Sequence, residues 1–316
     1  MMERIGVLLM AYGGPSSLED VPGYLSDVRR GRTTPRAIIE EISGNYRNIG
    51  GSSPLTALTH RQADALSAEL NRGMKHGRYA VHVGMRHWSP WIEETVGLML
   101  DTGISRAVSL VLAPHYSALS VAAYQARIAA GLAAFRGRME LAHVDSYHDA
   151  PALVETLAER VLDGIACWPE PERGQVHVVF SAHSLPQRIV AAGDPYDTQV
   201  RETARLVAEK GGLAPGQWSW SYQSAGRTAE PWLGPTLPDH LRSLAARGIL
   251  KVVSVPVGFV CDHVEILHDI DVEAQGVARS LGMRLVRPRA LNDDPRFIDG
   301  LALLVRARAS AAGWPA

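Results

Sequence analysis

Three carboxylates stand at Glu265, Asp269 and Glu273, a spacing that on an α-helix puts them in one row on a single face. Like charges at that spacing repel by roughly 0.2–0.5 kcal/mol per pair on a solvated helix, so an exposed acidic stripe is one reading. The neighbours Ile266, Leu267, Ile270 and Val272 favour an enclosed helix instead, and a partly buried carboxylate row needs a cation or shared protons. Such a row suits a path that hands a divalent metal inward or carries protons outward. The second chemical element is His183 in Ser181-Ala182-His183-Ser184, an imidazole able to ligate a metal or act as a general base, or else a polar residue satisfied within the fold. A serine nucleophile is disfavoured, because no G-x-S-x-G elbow is present to expose its hydroxyl. Gly13-Gly14-Pro15 follows the first apolar run, where dinucleotide folds place a phosphate loop, but the further glycines are missing and Pro15 removes an amide. Gly50-Gly51-Ser52-Ser53-Pro54 lacks the Gly-Lys-Ser/Thr ending of a P-loop. Both read as tight turns that let backbone approach a large flat ligand. Arg29-Arg30-Gly31-Arg32 is either a solvated helix end or a bidentate binder of carboxylates.

The elements that must position these residues follow from apolar patterning. Short apolar runs at 4–11, 79–84, 106–113, 140–145, 176–182, 218–223, 250–257 and 283–287 read as fully buried parallel strands. Helical periodicity fills 55–71, 90–101, 119–134, 151–165, 196–210, 236–247, 262–281 and 294–310. The alternation implies right-handed βαβ units in doubly wound α/β sheets. The stretch Cys167–Gly174, with two prolines, has four strands on each side and reads as the linker between two similar halves, 1–166 and 175–316, with the final helix free to pack back on the first. Open α/β sheets bind ligands beyond the carboxyl ends of their strands, where Tyr12, His87, His115, His183, Ser224 and His263 stand; a cleft between the halves would collect them.

Composition narrows the classes. The 316 residues carry 32 basic and 33 acidic side chains and are 46% hydrophobic, as in an ordinary globular protein of about two domains. No block of like charge offers a footprint for nucleic acid. Only three basic residues are lysine (Lys75, Lys210, Lys251), which favours the forked guanidinium suited to carboxylates, although genome composition gives the same bias. Two cysteines, Cys167 and Cys261, are too few for a four-thiolate zinc or iron–sulfur site and fit a reducing cytosol. No apolar window reaches the roughly 18 residues of a membrane span, and residues 5–11 read better as a buried strand than as a short signal segment.

Eight strings in order resemble the ferrochelatases: Ala11-Tyr12-Gly13-Gly14-Pro15, Ile49-Gly50-Gly51-Ser52-Ser53-Pro54-Leu55, Pro114-His115-Tyr116-Ser117, Ser181-Ala182-His183-Ser184-Leu185-Pro186, Gly193-Asp194-Pro195-Tyr196, Gln223-Ser224-Ala225-Gly226-Arg227-Thr228, Pro231-Trp232-Leu233-Gly234-Pro235 and Asp262-His263-Val264-Glu265. The resemblance implies two Rossmann-like domains of the chelatase type, each with a four-stranded parallel sheet, around a porphyrin cleft. It implies insertion of Fe²⁺ into a porphyrin in haem biosynthesis, with His183 and Glu265 as the inner pair and Asp269 and Glu273 continuing a metal or proton route. Insertion requires stripping water from the ion, bending the macrocycle and removing two N–H protons, work that imidazole and carboxylate can share. The Ala-Tyr-Gly at Tyr12 resembles the coproporphyrin III enzymes of many Gram-positive and related bacteria, whereas protoporphyrin IX enzymes usually have an apolar residue there. The substrate so implied is coproporphyrin III and the product coprohaem, with protoporphyrin IX the alternative. Tyr12 would then face the ring opposite His183, and porphyrin contacts are expected at Tyr12, Arg29, Tyr46, Ser53, His87 and Tyr124.

Some positions depart from the family. Asn45 stands where an Arg often precedes Tyr46, with Arg47 just after it, and His268 replaces a common Tyr inside the acidic row. The chain stops soon after its last helix, without the extension that dimerises and anchors mitochondrial relatives, so a soluble cytoplasmic monomer with no membrane anchor is expected. No resident cofactor is expected: Fe²⁺ is substrate and there is no iron–sulfur cluster. A coprohaem decarboxylase or an iron donor is a conceivable transient partner; nucleic acid is not. Two other classes compete. A non-catalytic porphyrin carrier would need no acidic row, and corrin-pathway cobalt chelatases are generally shorter and lack the Ser-Ala-His-Ser-Leu-Pro and Pro-Trp-Leu-Gly-Pro strings together.

Overall fold

The structure, a computed structural model, describes residues 4–74, 77–226 and 228–314; Lys75 and Arg227, named above, lie outside them. Two compact units emerge. One runs to Tyr147 and resumes at Asn292; the other is His148–Leu291.

In the first unit the elements are β1 (Ile5–Ala11), α1 (Val21–Val28), α2 (Arg36–Asn48), α3 (Leu55–Leu70), β2 (Tyr79–Met85), α4 (Ile92–Asp101), β3 (Arg106–Val111), α5 (Val121–Ala134) and β4 (Glu140–Val144). The four strands form a parallel sheet in the order β2-β1-β3-β4. Every residue of β1 is buried, because helices cover both faces of a doubly wound sheet; hence the uninterrupted Ile-Gly-Val-Leu-Leu-Met-Ala. One face packs Leu8, Met10, Ile92, Val96, Met99, Val121 and Ile128 into a core, where each fully buried Val, Leu or Ile stabilises the fold by about 1.5–3 kcal/mol.

The second unit contains α6 (Pro151–Ala166), a 3₁₀ turn (Glu170–Gln175), β5 (His177–His183), α7 (Gln187–Ala191), α8 (Tyr196–Lys210), β6 (Trp218–Gln223), α9 (Leu237–Ala246), β7 (Lys251–Val255), α10 (Val264–Leu267), a π-helical segment (Asp269–Ala274), α11 (Gln275–Ser280) and β8 (Arg284–Val286). Its parallel sheet has the equivalent order β6-β5-β7-β8. In both sheets strand order reverses beside the first strand, between β1 and β3 and between β5 and β7, the positions where such sheets bind ligands at their carboxyl edge.

Three details differ from the sequence reading. The division does not fall at 167–174. Helix α6 packs on α8 and β7 of the second unit, where Gly164 lets Val253 approach so closely that a Cβ would lie 2.6 Å from its Cγ1. The proline-rich stretch is thus an internal turn, whereas α12 (Pro295–Ala311) packs back on α3, β3 and β4 of the first unit as the sequence reading allowed. Second, α1, α2 and α7 were not expected; α1 carries Pro22 and Gly23 at its start, and α2 buries only Tyr46. Third, 262–281 is not one α-helix. The amide of Glu273 donates to the carbonyl of His268 at 2.9 Å, a five-residue step that widens the turn and moves Asp269 and Glu273 off a straight i, i+4 row with Glu265.

Candidate active site

At the carboxyl end of β5, His183 lies with its Nε2 3.3 Å from Oε1 of Glu265, and the two side chains keep 30% and 34% of their surface exposed. The strand ends there because Leu185-Pro186 turns the chain into α7. The imidazole Nδ1 is hydrogen-bonded to the carbonyl of Ser184, which fixes a proton on Nδ1 and leaves Nε2 toward the carboxylate. Glu265 is held from the other side by His263, whose Nε2 is 3.2 Å from Oε2 and whose Nδ1 is 2.9 Å from the carbonyl of Cys261. One carboxylate therefore sits between two imidazoles. Burial works against charge on His183, but Glu265, its hydrogen bond, the Ser184 carbonyl and Asp269 outweigh it and raise its pKa. Burial likewise works against charge on Glu265, and His183 and His263 reverse that and hold its carboxyl below the usual range.

The surrounding groups fix this pair. The phenol of Tyr196 donates to the His183 carbonyl at 2.9 Å and is kept protonated by burial, with Glu265, Asp197 and Asp194 adding to the effect. Gln223 accepts from Ser181 at 2.8 Å and donates to the Glu265 carbonyl at 2.5 Å. Ser181 and Ser184 are buried, and Ser184 donates to the Leu233 carbonyl at 2.7 Å, so neither hydroxyl is set up as a nucleophile. The Pro231–Pro235 string lies along the segment after His183 through this bond and the amide of Leu233.

Beyond the pair, ligand atoms of His268, Asp269 and Glu273 lie within 4.8 Å of one another, with His268 Nδ1 3.6 Å from Asp269 Oδ1 and 3.9 Å from Glu273 Oε1. Ser224, whose φ of 59° is left-handed, donates to Asp269. The expected acidic row is thus a pair, His183 and Glu265, followed by a second group in which His268 joins Asp269 and Glu273. Cys261, although close in sequence, is no candidate thiolate: burial and Asp262 push its pKa up to about 12.

In the first unit, the turns after β1 and β2 are joined by backbone hydrogen bonds from His87 to Tyr12 (2.8 Å) and from Arg86 to Ala11 (2.9 Å). The Tyr12 ring, 38% exposed, rests on the His87 ring at 4.5 Å between centroids. The Arg86 guanidinium stacks 5.9 Å from the Tyr12 ring and 5.4 Å from that of Tyr124. Gly13, at φ 87°, and Gly14 are required by the protein itself: added Cβ atoms would lie 2.9 Å from the Trp88 amide and 2.6 Å from Ser53. The glycines of this turn are thus accounted for by packing within the first unit. Gly50 and Gly51 meet nothing near and are explained by their left-handed φ of 107° and 92°. The structure gathers Tyr12, Ser53, His87 and, through Arg86, Tyr124. Tyr46 is buried against Tyr24, and Arg47 is exposed at the end of α2. Arg29 caps α1, with a single 3.5 Å bond from Nη2 to Thr33.

Sequence reasoning assigned no site role to Asp27, Arg86, Arg127, His263, Gln223 or Tyr196. Gln223, Tyr196 and His263 stand within the motif strings, and His263 also follows a strand end, but nothing in the sequence marked a role for them; Asp27, Arg86 and Arg127 act through partners distant in the chain.

The ferrochelatase family model matches residues 4–309. A ferrochelatase from Deinococcus radiodurans is 56% identical over 97% of this chain and 96% of its own. A coproporphyrin III ferrochelatase from Geobacillus kaustophilus is 42% identical over 98% of this chain and 97% of its own, and a ferrochelatase from Thermus thermophilus is 41% identical over 98% and 100%. Among solved structures, the sirohydrochlorin chelatase SirB from Bacillus subtilis subspecies spizizenii in complex with cobalt shares the fold at a TM-score of 0.54 and 11% identity, over 98% of this chain and 97% of that one. A histidine and a glutamate paired at a strand end, the motif strings that hold them, and matches along nearly the entire sequence converge: the chain belongs to the ferrochelatase family.

Proposed function

We propose that this ferrochelatase inserts Fe²⁺ into coproporphyrin III, producing coprohaem and two protons. The coarser activity, metal insertion into a porphyrin in haem biosynthesis, follows from the family. The single observation that carries the mechanism is the Glu265 carboxylate held between His183 and His263. Imidazole and carboxylate at 3.3 Å can replace part of the ion's water shell and accept the protons leaving the pyrrole nitrogens. His183 and Glu265 divide ligation and proton acceptance between them, while Asp269, Glu273 and the adjoining His268 pass the ion or the protons along. Nitrogen and oxygen donors without a thiolate hold ferrous iron loosely enough to give it up. Fe²⁺ is a substrate, and the two cysteines of the chain cannot furnish a four-thiolate cluster.

The choice of porphyrin rests on Tyr12 and on relatives named coproporphyrin III ferrochelatases at 42% and 41% identity; others, including the one at 56%, are named ferrochelatase without a stated porphyrin. Tyr12, Arg29, Tyr46, Ser53, His87 and Tyr124 serve porphyrin recognition, with the guanidinium of Arg29 suited to a propionate. The test is anaerobic Fe²⁺ insertion, comparing initial rates on coproporphyrin III and protoporphyrin IX for the wild type, His183→Ala and Tyr12→Leu. Expected are a preference for coproporphyrin III, loss of turnover without His183 and weakened preference without Tyr12. A preference for protoporphyrin IX would overturn the substrate assignment, and porphyrin binding without insertion by the wild type would make the chain a carrier.

A further inference from the structure

We infer that Asp27 is a positioning residue that sets Arg29 against Tyr12, and so fixes the spacing at which the first unit recognises a porphyrin; the inference rests on the reading of Arg29 and Tyr12 as porphyrin contacts. Asp27 lies in the last turn of α1 and Arg29 is the cap of that helix. The two share one backbone turn, closed by the Arg29 amide on the Leu25 carbonyl at 3.0 Å and the Arg30 amide on the Asp27 carbonyl at 2.8 Å. Oδ2 of Asp27 lies 2.7 Å from Nδ1 of His87. A carboxylate can only accept, so Nδ1 carries the proton and the ring orientation is set. His87 is 7% exposed, its amide donates to the Tyr12 carbonyl at 2.8 Å, and its ring lies under that of Tyr12 at an interplanar angle of 52°. The hydrogen bond between Asp27 and His87 therefore ties the helix end that presents Arg29 to the strand ends that present Tyr12, beside the edge-on contact of Tyr24 with Trp88.

Arg127 braces the same joint. Its Nη2 is 2.5 Å from the Arg86 carbonyl and 3.5 Å from Asp27 Oδ2, and its Nη1 is 2.8 Å from Glu93 Oε1. The joint matters for Arg29 because little else holds that side chain: its Nη2 has the long contact to Thr33, and its Nε has no hydrogen-bond partner among the described residues. The position of the guanidinium thus depends on where its helix end is held, and Asp27 supplies the polar tie of that end to His87, beyond the packing of Val21, Tyr24 and Leu25.

The experiment is a double-mutant cycle of Asp27→Ala and Arg29→Gln, with KM and kcat measured on whichever of coproporphyrin III and protoporphyrin IX the wild type uses. Asp27→Ala is expected to raise KM about tenfold with kcat within about threefold, the pattern of lost binding rather than lost chemistry. In the Arg29→Gln background it should add less than about twofold, since residues acting as one unit are not additive. Asp27→Asn, whose amide oxygen can accept the same N–H, should restore KM to within about twofold of wild type. Asp27→Ser, too short to reach His87, is measured should the alanine variant not fold. Additive effects in the cycle, an unchanged KM in Asp27→Ala, or no rescue by Asn would overturn the inference while leaving Arg29 as a contact. An unchanged KM in Arg29→Gln alone would overturn the contact reading and the inference with it. A preference of the wild type for protoporphyrin IX would overturn only the substrate assignment.

Discussion

Two histidines, one in each unit, stand against a carboxylate and are pushed in opposite directions. Burial, aided by the Arg86 and Arg127 guanidinium groups, lowers His87 to about 4 despite its bond to Asp27. Burial also opposes charge on His183, yet Glu265, the Ser184 carbonyl and Asp269 prevail and raise it. A carboxylate partner therefore does not decide the protonation of an imidazole; the sum of the charges around it does. At His87 two cations face one anion, and the neutral ring is a scaffold for Tyr12. Around His183 the charges that shift it among the described residues are the carboxylates of Glu265 and Asp269, and the ring can take up a proton. The first unit is built to hold a shape and the second to accept charge.

The comparison breaks most visibly if its anion is removed. Glu265→Gln removes the largest of the groups that raise His183 and should lower its pKa from the wild-type position, and insertion should slow by about 10²–10⁴-fold, the usual contribution of a positioned acid–base group. Histidine NMR titration and anaerobic insertion kinetics check the two halves of this expectation. A mutant in which His183 titrates as in the wild type would mean that the Glu265 carboxylate is not what raises it.

A third imidazole sharpens the contrast at the opposite end of the same strand. His177 shares the Ser219 hydroxyl with His240 at 2.7 Å on each side, and burial, with His240 and Arg247 near it, lowers it to about 4. The folded chain then binds this proton more weakly than the unfolded chain does, so stability falls as pH drops from about 6.5 toward 4. His177→Gln should remove about 2–3 kcal/mol of the stability lost between pH 7 and 4.5, measured by urea unfolding at the two pH values. The smallest expected effect is Arg127→Gln, which withdraws one cation and should let the His87 titration rise by about half a unit, seen by NMR. No rise would leave burial and Arg86 as the causes there.

Why some of this was legible in the sequence and some was not follows from the same physics. The eight strands announced themselves because both sheets are covered on both faces, so β1 is apolar throughout and β5 is buried along all but its last residue. His183 and Glu265 were legible through the strings that hold them. The π-helical turn was not, since a hydrogen bond shifted by one residue leaves Ile266, Ile270 and Ala274 buried much as an α-helix would. Nor was the place of the division: the return of the final helix was anticipated, but only packing decides that α6 joins β7 of the second sheet. Asp27 meets His87 across 60 residues and Arg127 across 100, separations at which no spacing rule operates.

The most direct test of the account is a pH titration of the wild-type protein with ¹⁵N-labelled histidine, resonances assigned from His87→Gln and His183→Ala. The account predicts that His183 titrates above 6.5 and His87 near 4. Both rings titrating together, or His183 below His87, would contradict it.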